Sequence, residues 1–297
     1  MGLLPFDDRD GWIWMDGAMV PWRDAKVHVL THALHYGSCV FEGERAYGGK
    51  IFKSREHSER LHRSANLLGF DLPYSIDALE EAKAAVLAKN AIVDGYVRPV
   101  AWRGSEMMAI SAQQTKIHVA IASWAWPSMY KKDIKEKGIR LTMADFKRPS
   151  PEYAPTASKA AGLYMICTIS KHKAEHAGFD DALMLDYRGF LAEATGANLF
   201  LVIDGAIHTP MADCFLDGIT RRTVIGLAKA AGITVHERHL KPEELARAQE
   251  MFLTGTAAEI TPVREVDGKS FVVGDVTKKL MAAYHDATHA HLKGNAA

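Results

Sequence analysis

The chain has 297 residues, with 36 Lys plus Arg against 36 Asp plus Glu, so its formal net charge is zero; this argues against a nucleic-acid-binding face, which needs a basic surplus. With 48% hydrophobic and 24% charged residues, the composition is that of a soluble globular protein. Its length predicts about two domains that need no disulfide or metal staple. Three scattered cysteines (Cys39, Cys167, Cys214), no signal-peptide pattern and no run of about 18 apolar residues predict a reducing, cytoplasmic location and no membrane span.

In chain order, Trp12–Met15 and Ala18–Val20 flank the turn pair Asp16-Gly17 and predict a hairpin. A second hairpin runs from Val40-Phe41 through Ala46-Tyr47 to Lys50–Phe52 around Gly48-Gly49. Ser54 to Leu68 reads as a helix, with Ser54 as its N-cap and Gly69 ending it. Ser75 to Asn90 reads as a second helix, capped by Ser75, with Ile76, Leu79, Ala82, Val86 and Leu87 on one face. Tyr96–Trp102 and Ile117–Trp124 are predicted strands. The Pro- and charge-rich stretch from Pro127 to Gly138 is the candidate boundary. It gives a smaller α/β domain at 1–127, a linker at 128–138 and a larger α/β domain at 139–297. An irregular stretch with three prolines covers Lys147 to Ser158. After it come a helix over Ala160–His176, strands at Ala182–Leu185, Phe190–Ala192, Leu199–Ile203 and Ile207–Thr209, and a helix over Thr220–Ala231. Strands at Ile233–Glu237, Met251–Leu253 and Ile260–Glu265 precede a closing helix over Val276–His289. Short strands mixed irregularly with helices predict a mixed α+β or α/β fold.

Several residues stand out chemically. Lys159 lies among Ser158, Ala160, Ala161 and Gly162 at the predicted start of a helix. There the positive dipole end lowers an ammonium's pKa, and a neutral amine suits Schiff-base chemistry. Glu193, in Leu191-Ala192-Glu193-Ala194-Thr195-Gly196, is a carboxylate among small and apolar residues, where burial calls for an arginine or a cationic ligand atom as partner. Leu216-Asp217-Gly218-Ile219-Thr220-Arg221 leads into a helix whose free N–H groups could bind phosphate. Gly255-Thr256-Ala257-Ala258 is a small-residue turn that could add backbone donors. Arg60 lies on the first helix.

These pieces occur in one order with His32-Ala33-Leu34-His35-Tyr36-Gly37, Val40-Phe41-Glu42-Gly43, Tyr96-Val97-Arg98-Pro99 and Lys159-Ala160. From about Trp12 to about Val266 the chain resembles the branched-chain aminotransferases, class IV enzymes of fold type IV that use pyridoxal 5′-phosphate (PLP). The resemblance implies a two-domain, D-amino acid aminotransferase-like fold. It implies that Lys159 carries PLP and then acts as acid–base for the 1,3-proton shift, and that Glu193 pairs with the ring nitrogen. Tyr164 would meet the phenolic oxygen, Leu216 would pack on the ring, and Arg60, Gly218, Ile219, Thr220 and Thr256 would surround the phosphate. The implied substrate residues are Tyr36, Phe41, Gly43, Arg45, Tyr96, Arg98, Trp126, Tyr130, Thr256, Ala257 and Ala258. The implied reaction moves an amino group between leucine, isoleucine or valine and 2-oxoglutarate in ping-pong fashion, in a homodimer or larger assembly, with amino acids and 2-oxo acids as the only partners.

Three positions depart from the family pattern. Glu44 stands where an apolar residue is usual and could neutralise Arg45, Ala109 replaces a glycine, and Asp217 replaces a frequent proline. Other readings compete with the first: a D-amino acid or (R)-amine transaminase, an aminodeoxychorismate lyase, a non-catalytic binding protein, or a metal hydrolase using His28, His32 and His35. The set as a whole favours the branched-chain transaminase with no metal.

Overall fold

Asp16 and Gly17 both take positive φ, 49° and 96°, the geometry a two-residue hairpin turn needs. They join β1 (Trp12–Met15) to β2 (Ala18–Pro21). In this computed structural model, residues 5–126 and 132–293 are described. The chain divides into two units, Met1–Pro127 with Ser158–Gly162, and Ser128–Ala157 with Leu163–Ala297.

The first unit continues with α1 (His32–Tyr36), β3 (Cys39–Phe41), β4 (Glu44–Tyr47), β5 (Lys50–Ile51), α2 (Ser54–Leu67), α3 (Ile76–Lys89), β6 (Gly95–Arg103) and β7 (Ile117–Ala125). The sheet order is β2-β1-β7-β6-β4-β5, with β3 also paired to β6. β6 and β7 are antiparallel in unbroken register from Gly95↔Ala125 to Arg103↔Ile117. Side chains alternate across a strand. Val97, Ala101, Val119 and Ile121 therefore join Leu61 and Ala65 of α2 and Leu79 and Val86 of α3 in one core. Each large aliphatic side chain buried there contributes about 1.5–3 kcal/mol. The same alternation puts Tyr96 and Arg98 on the opposite face of β6.

Ser75 caps α3 as expected: the Ala78 N–H donates to Ser75 Oγ at 3.2 Å. Ser54 does not cap α2. The N-cap is Lys53 at φ 57°, and Ser54 is the first helical residue, its hydroxyl turned toward Glu44.

The second unit holds α4 (Lys132–Lys137), β8 (Ile139–Met143), α5 (Met165–His176), β9 (Asp181–Leu185), β10 (Leu191–Ala194), β11 (Asn198–Ile203), β12 (Ala206–Thr209), α6 (Ile219–Ala230), β13 (Val235–Glu237), β14 (Glu250–Gly255), β15 (Glu259–Val266), β16 (Lys269–Ser270) and α7 (Asp275–Lys293). Its sheet runs β10-β9-β8-β15-β14-β11-β12-β13, with β16 on β15. β10 also pairs with β11, so β10, β9, β8, β15, β14 and β11 close into a ring. Ile139, Leu141, Leu183, Leu199, Leu201, Leu253 and Val263 pack within one core.

β8 is a strand that the sequence reading passed over, although Ile139-Arg140-Leu141-Thr142-Met143 alternates as a strand should. It pairs in parallel with both β9 and β15. The expected linker at 128–138 lies partly outside the described residues, and its described part is α4.

The segment around Lys159 differs most from expectation. No α-helix starts at Ala160. Ala160 bridges to Val40, a 3₁₀ turn covers Ala161–Tyr164, and α5 begins at Met165. Lys159 was expected in the domain at 139–297, but it belongs to the first unit. The Phe41 N–H donates to the Lys159 carbonyl at 3.2 Å, the Lys159 N–H to Ser64 Oγ at 3.0 Å, and the Ser158 hydroxyl to the Ser64 carbonyl at 2.9 Å. These bonds strap the segment to β3 and α2.

Candidate active site

In the first unit, the Lys159 ammonium sits 4.9 Å from the centre of the Phe41 ring, and the Arg98 guanidinium lies 4.8 Å from the same ring. Burial, reinforced by the Arg60 charge, lowers the Lys159 pKa to about 8, with Glu42 pulling the other way. The sequence reading predicted the same direction from a helix start. The structure supplies a different cause, desolvation beside a second cation.

Arg60 projects from α2 and is buried. Its Nε donates to Glu42 Oε1 at 2.6 Å and its Nη2 to Glu42 Oε2 at 2.8 Å. His57, one turn earlier on α2, places Nδ1 at 2.6 Å from Glu42 Oε2. The carboxylate accepts, so Nδ1 carries the proton. Burial alone would raise the Glu42 pKa, but Arg60 and His57 hold it well below the usual carboxylate range. The bidentate pair fixes the plane of Arg60.

Gly43 follows Glu42 for a steric reason. A Cβ there would lie 1.9 Å from the Tyr96 hydroxyl, so only glycine lets Tyr96 approach. Arg98 Nη2 donates to that hydroxyl at 3.4 Å. Arg98 Nε and Trp126 Nε1 are buried with no hydrogen-bond partner among the described residues, as donors awaiting an anionic or polar ligand would be.

Glu44 does not neutralise Arg45. Adjacent residues of a strand face opposite ways, and Glu44 is buried against Lys83 of α3, with Nζ at 3.0 Å and 3.2 Å from its two oxygens. Burial raises the Glu44 pKa to about 8, against the pull of Lys83. Arg45 donates through Nη2 to the Trp126 carbonyl at 3.1 Å and lies over the Tyr47 ring. Tyr36 is exposed and stacks on His32. Tyr130 lies outside the described residues.

In the second unit, Glu193 on β10 is buried. Its Oε1 lies 3.3 Å from Arg148 Nε, and its Oε2 accepts from Asn198 Nδ2 at 3.1 Å. Tyr164, Ala257 and Ala258 line a cavity of about 340 Å³ on α5, together with Cys167 and Thr195. Gly218 is the N-cap of α6, so the N–H groups of Ile219 and Thr220 lie in the first turn, where no intrahelical acceptor exists. Leu216 and Thr256 are half-buried. Asp217 pairs with Arg221 of α6 at 2.9 Å, which gives this departure from the family pattern a structural role. Ala109 is not among the residues at positive φ, so its backbone conformation does not demand glycine.

The sequence reading missed Arg148, Asn198 and His57 as site residues. Arg148 falls in an irregular stretch with no motif. His57 could have been found from its place one turn before Arg60. His28, His32 and His35 each bond a different backbone group, the Leu30 N–H, the Ala109 carbonyl and the Val29 carbonyl.

Residues 39–266 match the family described as amino-transferase class IV. The chain is 42% identical to a branched-chain-amino-acid aminotransferase of Pseudomonas aeruginosa, covering 96% of each sequence. It superposes on the crystal structure of the branched-chain amino acid aminotransferase of Escherichia coli with a TM-score of 0.90 at 40% identity, over 93% of this chain and 94% of that one. An aminotransferase from Brucella abortus, solved bound to PLP, gives a TM-score of 0.85 at 32% identity, over 95% of this chain and 100% of that one. The matched family model and these relatives place this chain among the class IV aminotransferases, in the branched-chain-amino-acid aminotransferase family of fold type IV.

Proposed function

We propose that this protein is a PLP-dependent transaminase that moves the amino group between L-branched-chain amino acids and 2-oxoglutarate by a ping-pong mechanism. The observation that carries the reading is the Lys159 amine 4.9 Å from the Phe41 ring, its pKa lowered to about 8 by burial and Arg60, in a chain of this family. The residues present fit the cofactor. The first turn of α6 offers free N–H donors, Arg60 offers an aligned guanidinium, and Glu193 offers a carboxylate fixed at both oxygens.

PLP, when bound, supplies the electron sink. Glu193 keeps the ring nitrogen protonated. Arg60, Ile219, Thr220 and Thr256 would hold the phosphate, at the α6 start that Gly218 caps. Tyr164 meets the phenolic oxygen and Leu216 packs against the ring. Lys159 Nζ would take the proton from the substrate Cα and carry it in the 1,3-proton shift, a task suited to a group titrating near working pH. Tyr96 and the Ala257-Ala258 amides receive the α-carboxylate. Phe41, Tyr36 and Trp126 enclose an uncharged side chain, with Gly43 leaving room for Tyr96. Arg98 and Arg45 accept the second carboxylate of glutamate in the other half-reaction. Arg98 Nε, buried without a partner among the described residues, supports that role.

The test is an amino-donor panel with 2-oxoglutarate, read together with the visible spectrum. The expected result is a yellow protein that turns over leucine, isoleucine and valine. A colourless protein that takes up no PLP overturns the cofactor assignment. Turnover of D-alanine or an (R)-amine but not leucine overturns the substrate assignment.

The protein acts as a homo-oligomer, at least a dimer, and in the cytoplasm. Exposed Val29 (70%) and Leu34 (63%) on the first unit support the former. The free cysteines Cys39, Cys167 and Cys214 support the latter.

A further inference from the structure

The carboxylate of Glu193 and the loop leading into α6 meet at one side chain, Asn198. It opens β11 and stands directly across from Glu193 of β10 in the register, so the two side chains share a face of the pair. The buried Asn198 amide nitrogen donates twice, to Glu193 Oε2 at 3.1 Å and to the Leu216 carbonyl at 3.0 Å. A primary amide carries two hydrogens on one nitrogen and can serve two separate acceptors at once, which a hydroxyl cannot. Its oxygen occupies the space beside Gly218, where a Cβ would come within 2.2 Å of Asn198 Oδ1. Gly218 has φ −64°, a conformation open to any residue. Its glycine is therefore explained by room for Asn198, not by backbone freedom. Arg148 Nε lies 3.3 Å from the other oxygen of Glu193 as an ion pair.

We propose that Asn198 is a positioning residue that ties the Glu193 carboxylate to the Leu216–Gly218 loop, setting a fixed separation between the ring-nitrogen acceptor and the first turn of α6. A rigid cofactor held at its ring nitrogen and its phosphate needs that separation to be constant, and a loop of the Leu216–Gly218 kind would not keep it unaided. The inference rests on the PLP assignment above.

The test measures PLP affinity by titrating apoprotein with PLP, and it follows the visible band of bound PLP across pH. Asn198→Ala is expected to weaken PLP binding about tenfold or more, as loss of a hydrogen bond to a charged acceptor does, and to shift the pH midpoint of the band. Gly218→Ala is expected to weaken PLP binding in the parent but to add less than about twofold in the Asn198→Ala background. In a Glu193→Gln background, Asn198→Ala is expected to leave the band midpoint unmoved, because its action on the ring passes through Glu193. Should Asn198→Ala fail to fold, Asn198→Leu, which keeps a similar side-chain size and removes both donated bonds without adding a charge, carries the same reading. PLP affinity within about twofold of the parent, or fully additive effects of the paired substitutions, overturns the proposal while the parent remains a yellow, active transaminase. A parent that binds no PLP overturns the functional reading instead.

Discussion

Lys159 illustrates how far one residue's chemistry depends on its neighbours. Its pKa of about 8, set by burial and then by Arg60, lies well below the usual lysine value of about 10.4. Below that pH the ammonium prevails, and above it the free amine. Covalent uptake of PLP by the apoprotein, followed by visible absorption, is therefore expected to accelerate as pH rises through about 8. A rise only near the ordinary lysine value would show that the neighbours do not act. Lys159→Ala is expected to abolish transamination with an unchanged circular dichroism spectrum; retained turnover would refute its role. Lys159 and Glu193 were legible in the sequence through their small-residue surroundings. The partners that tune them, Glu42 behind Arg60 and Asn198 and Arg148 on Glu193, were not read as partners, because they come from the turn between β3 and β4, from β11 and from an irregular stretch.

At the scale of elements, local signals worked wherever local physics decides. Asp16-Gly17 made its hairpin, and Ser75 capped α3 through the Ala78 N–H. Ser54 looked like an equally good cap, yet Lys53 took the cap position while the Ser54 hydroxyl turned toward Glu44. That exchange belongs to a buried polar cluster linking β4, α2 and α3. Lys83 Nζ donates to both oxygens of Glu44 and to the Ser54 carbonyl. Removing one member of a buried pair strands the other, whereas replacing both with apolar groups costs little. Above about pH 8, where Glu44 is ionised, Lys83→Met is thus expected to lose about 3–5 kcal/mol in chemical denaturation, and Glu44→Ile with Lys83→Met is expected to recover most of it. A single variant as stable as the parent would show that the pair does not hold α3 to the sheet. β8 escaped the sequence reading for the opposite reason. Its alternation is short, and its identity as a strand rests on parallel partners far away in sequence, β9 and β15.

At the scale of the whole molecule, the apolar side chains exposed on the first unit bear on assembly. Val27, Val29, Leu30 and Leu34 lie close together in sequence, and all are exposed, a surface that monomers seldom keep uncovered. Sedimentation is expected to find at least a dimer, and Leu34→Glu is expected to shift it toward smaller species; a monomeric parent would overturn the assembly proposal. The division of the chain into units carries the clearest contrast between sequence and structure. By itself the sequence determined the mixed α/β class, most strands and helices, the ordered motifs and the family, because these rest on short-range periodicity, turn chemistry and residue identity. Only the tertiary structure decided that Ser158–Gly162 belongs with the first unit, strapped to Phe41 and Ser64. It alone decided that Glu44 serves Lys83 and not Arg45, and that Asn198 joins Glu193 to the Leu216 loop. Most of these join residues far apart in the chain, and Asn198, five residues from Glu193, meets it only because β10 pairs with β11, so no local pattern encodes such a partner.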